Sequence, residues 1–211
     1  MGLEAARTRL LEGLKHEIRD RRVLSAIAHV PRELFVSSDY YYAAYEDMPL
    51  SIGFGQTISQ PFIVALMTQA LKLKGDEKVL ELGTGSGYQA AILASLAKRV
   101  VSIERIDKLA DSARKVLDKL GCKNVEIHSA GETLGWPEGA PYDAIMVTAG
   151  APHIPDILVE QLTLGGRMVI PVGSRWEQDL LMVTKRKRKN LVKSLGGCRF
   201  VPLIGPGVWE E

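Results

Sequence analysis

The 211 residues predict an α/β fold: a doubly wound, mainly parallel seven-stranded sheet, preceded by helices and ended by an antiparallel hairpin. Three observations carry this. From Lys78 onward, short apolar runs alternate with helical patterns at the spacing of βαβ units. A glycine-rich turn joins the first of those runs to the first of those helices. The last two apolar runs have no helix between them, so they return antiparallel.

Each element has its own signal. Leu3, Ala6, Leu10, Leu14 and Ile18 recur every three or four positions, the spacing of an amphipathic helix. Val23, Leu24 and Ile27 mark a second, short helix that stops before Pro31. Residues 40–55, rich in Tyr and Gly, read as irregular. In QTISQPFIVALMTQALKL, Pro61 suits a first helical turn with Ser59 just outside it as a cap; the helix runs to about Leu73 and ends at Gly75. VLEL is a buried strand and QAAILASLAKR a helix. VVSIE is the second strand, and Asp107 caps a helix that runs to Gly121. VEIH and YDAIMVT are the third and fourth strands. PDILVEQL forms a helix from Pro155, stopped by Gly165 and Gly166 before the strand RMVIPV. DLLMVTK and NLVKSLGGCRFVPLI supply the hairpin.

Length and composition narrow the function. A chain of 211 residues fits one domain. Lys and Arg total 27 against 25 Asp and Glu, a net charge of +2, which gives no general electrostatic reason to bind nucleic acid or an acidic membrane. The run Lys185-Arg186-Lys187-Arg188-Lys189 falls at the hairpin turn and reads as a solvated tip. No run approaches transmembrane length, MGLEAARTRLLEGL lacks the apolar segment of a signal peptide, and Ala6 breaks the myristoylation pattern. Cys122 and Cys198 are the only cysteines and have no metal-ligand spacing. The expectation is a cytoplasmic protein without a metal, a membrane or a nucleic-acid partner.

The stretch VLELGTGSGYQAA, residues 79–91, holds the chemistry. Gly83, Gly85 and Gly87 make GxGxG; Tyr88 stands where the dinucleotide fingerprint has its third glycine. No Gly-Lys-Ser/Thr follows, so it is not a P-loop. A glycine-rich turn lets a ligand touch backbone, and the helix N-terminus beyond it favours an anion. Glu81, just before the loop, repels a pyrophosphate and attracts a cation. S-adenosyl-L-methionine meets both demands, with a carboxylate for the amides and an ammonium and a sulfonium for negative charge. Glu104, ending the second strand, can accept hydrogen bonds from both ribose hydroxyls. The candidate cofactor residues are thus Glu81, Gly83, Thr84, Gly85, Ser86, Gly87 and Glu104.

ELGTGSG with Glu104 resembles the first two motifs of class I S-adenosylmethionine-dependent methyltransferases. HVPRELFV, GFGQTISQP, GWPEGAPYDAIMVTAGAPHIP, LGGRMVIPVG and FVPLIG closely resemble the protein-L-isoaspartate O-methyltransferase family, over about residues 8–206. The resemblance implies a Rossmann-like fold, with residues 1–76 as a helical, cleft-forming part and 77–211 as the cofactor-binding sheet and hairpin. It implies methyl transfer to the free α-carboxylate of L-isoaspartyl residues in damaged proteins and peptides, by a monomer. Ser59, in QTIS, would orient that carboxylate, with Thr57 and Ile58 beside it. Such a nucleophile is ionised at neutral pH, so the missing His/Asp and metal constellations agree with the reading.

Two departures stand out. Phe62 and Gln60 replace a common His and Ala. The family's Gly-Asp-Gly after the third strand aligns with Ala130-Gly131-Glu132, so Gly131 faces the adenine and Glu132 must reach back to its amino group, or that contact is lost. Asp143 and His153 read as loop residues, and Trp136 either stacks on adenine or packs at the rim. The C-terminal stretch Val201 to Val208 helps form the peptide cleft by resemblance. The rival readings are a methyltransferase of the same fold with another substrate, and a module that binds cofactor or damaged peptide without turnover.

Overall fold

The computed structural model describes residues 2–210. Two helices open the chain, α1 (Leu3–Leu14) and α2 (Arg21–His29). Asp20 caps α2 by accepting the backbone N–H groups of Arg22 and Val23. Ile18, expected within the first helix, is buried beyond its end. The stretch expected to be irregular is built: a 3₁₀ turn at Ser38–Ala43, then a hairpin of β1 (Leu50–Gly53) and β2 (Gln56–Ile58). Helix α3 (Pro61–Leu71) follows, with Pro61 in its first turn as expected.

Seven strands make the main sheet: β3 (Lys78–Leu82), β4 (Arg99–Glu104), β5 (Val125–Ser129), β6 (Tyr142–Val147), β7 (Leu162–Gly173), β8 (Gln178–Thr184) and β9 (Leu191–Cys198). Their order is β5-β4-β3-β6-β7-β8-β9. Strands β5 to β7 in that order pair in parallel, while β7–β8 and β8–β9 are antiparallel. Helices α4 (Tyr88–Ala94), α5 (Asp107–Lys119) and α6 (Asp156–Glu160) connect the parallel strands. The chain steps outward from β3 to β4 and β5, then returns to place β6 on the other side of β3. This reversal opens a crevice at the C-terminal ends of β3 and β6, where open α/β sheets bind ligands.

Strand alternation divides the core between the two faces. Val79, Val100, Met146 and Val169 point to a layer with α1, α2, α3 and α4. Leu80, Val101, Ile145 and Ile170 point to a second layer with α6, Tyr142 and Leu203. Among the described residues no helix is long and apolar enough to cross a membrane.

Several element ends differ from the sequence expectation. Helix α3 stops at Leu71, with Lys72 left-handed (φ 51°), because Arg167 of β7 donates to the carbonyls of Leu71 and Lys72 there. Ser59 is not its cap: Gln60 holds the cap position, and the acceptor is Asp47, whose carboxylate takes the Phe62 N–H at 2.8 Å and the Gln60 side chain at 3.0 Å. Ile106, not Asp107, holds the cap position of α5; Asp107 instead receives the Ser129 hydroxyl. Helix α4 ends at Ala94, short of the expected Arg99. Gly165 and Gly166 lie inside β7, which already begins at Leu162, and the pairing with β6 shifts register around them. Residues 199–204 leave the hairpin and bridge the end of β6 instead, through Gly150 and Pro202.

Candidate active site

The glycine loop is shaped by what surrounds it. Gly83, Gly85 and Gly87 all have positive φ. A Cβ on Gly83 would stand 2.3 Å from Thr148 Oγ1, so no other residue fits there. Thr148 donates its hydroxyl to the carbonyls of Leu82 and Gly83, tying the end of β6 to the loop. Gly87 packs on α5, where its Cβ would lie 3.1 Å from Ala113. The N–H groups of Gly83 and Thr84 bond back to the Ile103 carbonyl, and that of Gly85 to Glu104 at 2.7 Å. Ser86 accepts weakly from the Tyr88 N–H, closing the turn into α4.

A cavity of about 290 Å³ opens above this loop, at the crevice the strand order creates. Gly83, Gly85 and Glu104 line it on one side, Gly131 and Thr133 on another, and Thr57 and Thr148 at one end. Residues 201–206 cover it, held by hydrogen bonds between Gly150 and the backbone of Val201 and Leu203. Sequence reasoning placed Gly83, Gly85, Glu104 and Gly131 in the site, and the structure brings these four together. Thr84 and Gly87 shape the loop from behind. Glu132 is exposed and lies outside the cavity wall.

Glu104 does more than line the wall. Its Oε2 accepts from Gly85, and its Oε1 from the N–H groups of Arg105 and Ile106, both at 2.9 Å. A carboxylate offers about four lone-pair directions, so about one remains for a ribose hydroxyl.

Glu81 lies elsewhere. It is fully buried under the loop, on the α3 and α4 face of the sheet, and does not line the cavity. Its Oε2 accepts from Ser102, which also bonds to Thr84, while among the described residues Oε1 has no partner. Burial, with the nearby Glu104 charge, pushes its pKa up to about 8 against the opposing Ser102 bond. At neutral pH Glu81 is therefore mostly protonated, and its expected attraction for a cation is absent.

A second cavity, about 250 Å³, adjoins the first. Ser59, Gln60 and Ile63 line it from one side, and Gly197 to Val201 from the other. Thr57, Thr148 and Val201 belong to both walls. Ser59 is half-buried there, and among the described residues nothing hydrogen-bonds to its hydroxyl. Ile58 is buried in the core beneath.

Ser59 is held from below by a residue outside the expected site. Arg32, within HVPRELFV, is completely buried and donates to the carbonyls of Ala44 and Ser59 at 2.8 and 2.9 Å. Its guanidinium lies 4.9 Å from the centre of the Tyr88 ring, and burial lowers its pKa. An Arg among apolar residues was the available signal. Thr148 was also missed. The less favoured candidates have structural roles: Asp143 accepts the Lys78 N–H, and Trp136 stacks on His128 at 4.2 Å.

Comparison with known proteins decides the family. The model of the protein-L-isoaspartate(D-aspartate) O-methyltransferase (PCMT) family matches residues 5–207. The chain belongs to this family. A Geobacter metallireducens protein-L-isoaspartate O-methyltransferase is 53% identical over 212 residues, 99% of this chain and 98% of that relative. A solved protein-L-isoaspartate O-methyltransferase superposes with a TM-score of 0.85 at 32% identity, over 94% of this chain and 66% of that one. A Plasmodium falciparum protein described as a member of the same family, solved with S-adenosyl-L-homocysteine, gives 0.80 at 26% identity, over 93% of this chain and 97% of that one. The PCMT fold accounts for the whole sheet, hairpin included, and the family's S-adenosyl-L-methionine dependence fits a cavity built on a glycine loop and Glu104.

Proposed function

We propose that the two joined cavities carry out one methyl transfer, to the free α-carboxylate of an L-isoaspartyl residue in a damaged protein or peptide. The observation that carries this reading is their meeting at Thr57, Thr148 and Val201. A donor above the glycine loop and an acceptor beside Ser59 then face each other across a shared wall. When bound, S-adenosyl-L-methionine supplies a methyl group on a cationic sulfonium, and the carboxylate oxygen bonds to that carbon as the carbon–sulfur bond breaks. The ester later collapses to a succinimide, whose hydrolysis returns some normal aspartate.

The residues present suit this chemistry. A carboxylate with a pKa near ~4 needs no base at neutral pH. Anion and cation neutralise each other in the transition state, so the enzyme gains by alignment and by excluding water. Ser59 aligns the carboxylate with one neutral hydrogen bond; Thr57 shapes the passage, and Ile58 anchors both from the core. Gly83, Gly85, Glu104 and Gly131 hold the cofactor, Thr84, Ser86 and Gly87 keep the loop in shape, and Glu81 supports it from beneath. Glu132, exposed and outside the wall, contacts the adenine amino group only if it turns inward; otherwise that contact is lost. The chain acts as a cytoplasmic monomer, and its net charge of +2 supports a protein rather than a nucleic-acid substrate.

The test is methyl transfer to paired isoaspartyl and aspartyl peptides, with pre-steady-state rates between pH 6 and 8. Wild type should act on the isoaspartyl peptide alone, with a rate flat in pH. Ser59→Thr should keep much of that rate and Ser59→Ala should lose ~10-fold or more through misalignment, again flat in pH. A Ser59→Ala protein as fast as wild type would move the alignment role elsewhere. A pH limb that Ser59→Ala abolishes would make the hydroxyl a proton relay.

A further inference from the structure

The acceptor cavity must draw in an anion, yet the groups on its Ser59 side are neutral. Thr57, Ser59 and Gln60 offer hydroxyls and an amide. Of the described residues lining it, only Arg199 is charged. Arg199 follows the end of β9 and stands across the cavity from Ser59. Its side chain is exposed, and its guanidinium lies 5.7 Å from the centre of the Trp176 ring, itself 74% exposed in the turn between β7 and β8. Among the described residues no carboxylate or carbonyl pairs with it. Backbone neighbours are fixed: the Phe200 N–H bonds to Gln178 at 2.8 Å, and Gly150 N–H to the Val201 carbonyl. The segment is therefore anchored at the cavity wall, while the exposed guanidinium rests near the Trp176 ring beside the cavity and keeps its N–H edge free for an anion.

We propose that Arg199 is the specificity-determining cation of the acceptor cavity, capturing the ionised isoaspartyl α-carboxylate before transfer. This deepens the isoaspartyl reading above and rests on it. The physics also fixes which kinetic constant responds. The carboxylate loses its charge as the methyl arrives, so an ion pair with Arg199 is stronger with bound substrate than in the transition state. Such a contact improves binding and does not speed the chemical step. Ser59 and Arg199 thus divide the work: a neutral donor aligns, and a cation captures.

The test compares wild type, Arg199→Gln and Arg199→Lys on a peptide amidated at its C-terminus, with the isoaspartyl carboxylate as its only acid. Arg199→Gln should raise KM by about two- to fivefold, the upper range of a solvent-accessible charge pair, with kcat unchanged or slightly higher. Arg199→Lys should recover most of the loss, because it keeps the charge. Added salt should raise KM for wild type and for Lys, but not for Gln. The affinity for S-adenosyl-L-homocysteine, measured alongside, should be the same in all three. An Arg199→Gln protein with an unchanged KM, or one that loses kcat at constant KM, would overturn the proposal. Wild type that failed on this peptide would instead overturn the substrate reading itself.

Discussion

Glu81, one residue before the end of β3, has both carboxyl oxygens out of water, one held by Ser102 and the other, among the described residues, by nothing. A carboxyl in that setting is tolerated because it folds protonated. Its folded pKa is about 8, against an ordinary 4.5. Between those values the folded protein holds one more proton than the unfolded chain, so this residue makes stability fall as pH rises from about 4.5 to about 8 and level off beyond. Glu81→Gln, close in shape to the neutral acid, should flatten that slope relative to wild type and be the more stable protein above pH 8. Thermal unfolding from pH 5 to 9 measures it. A variant that is less stable by the same amount at every pH would assign Glu81 a purely hydrogen-bonding role. Arg32 is the opposite case, a buried guanidinium held by two carbonyls and the Tyr88 ring, with Nη1 left without a partner among the described residues.

Helix α3 shows how an element is ended by residues distant in the chain. Asp47 binds its first turn, and Arg167 of β7 its last carbonyls. An acid at the N-terminus and a cation at the C-terminus both oppose the helix dipole favourably. Because Ser59 directly precedes that first turn, Asp47 also sets where the acceptor cavity places its hydroxyl. Asp47→Ala should cost about 1 kcal/mol in stability, the usual value of a lost cap, and raise the peptide KM while leaving cofactor affinity nearly unchanged. Asp47→Asn keeps an acceptor for the Phe62 N–H and should restore most of both. Chemical denaturation and steady-state kinetics on the pair provide the check; a cofactor affinity that falls as much as peptide affinity would mean the helix end serves both cavities.

The donor cavity is assembled from the whole molecule. Its wall takes residues from β2, the glycine loop, the end of β4, the turn after β5, the end of β6 and the C-terminal segment. A ligand spanning these parts binds the folded chain only. S-adenosyl-L-homocysteine at 100 times its Kd should add about 2.7 kcal/mol, which for a domain this size raises Tm by roughly 5–10 °C. Glu104→Gln should shrink that shift through an affinity about 10- to 100-fold weaker. It should also lower the Tm of the free protein, because a side-chain NH₂ would then face one of the N–H groups of Gly85, Arg105 or Ile106. Scanning calorimetry separates the two effects. An undiminished ligand shift would remove Glu104 from the cofactor site and leave it as a loop anchor.

The sequence by itself determined the strand and helix alternation, the closing hairpin, the glycine loop and the family. Those signals are local: periodicity, proline and glycine positions, and contiguous motifs. Gly83 could be read in this way, since its motif marks a positive-φ turn, although the atom that excludes its Cβ, Thr148 Oγ1, comes from the end of β6. Only the tertiary structure decided where the helices end, because Asp47 and Arg167 reach their targets from other elements. It alone placed Glu81 in a buried position beneath the site, where burial raises its pKa, while Glu104 is in the wall. Both are acids in the last two positions of a strand, but the alternation of β3 turns Glu81 into the layer of α3 and α4, whereas Glu104 ends β4 at the crevice. It alone brought Arg199, Thr148 and Ser59 to one cavity, because contacts between residues far apart in the chain depend on strand order, which no local pattern encodes.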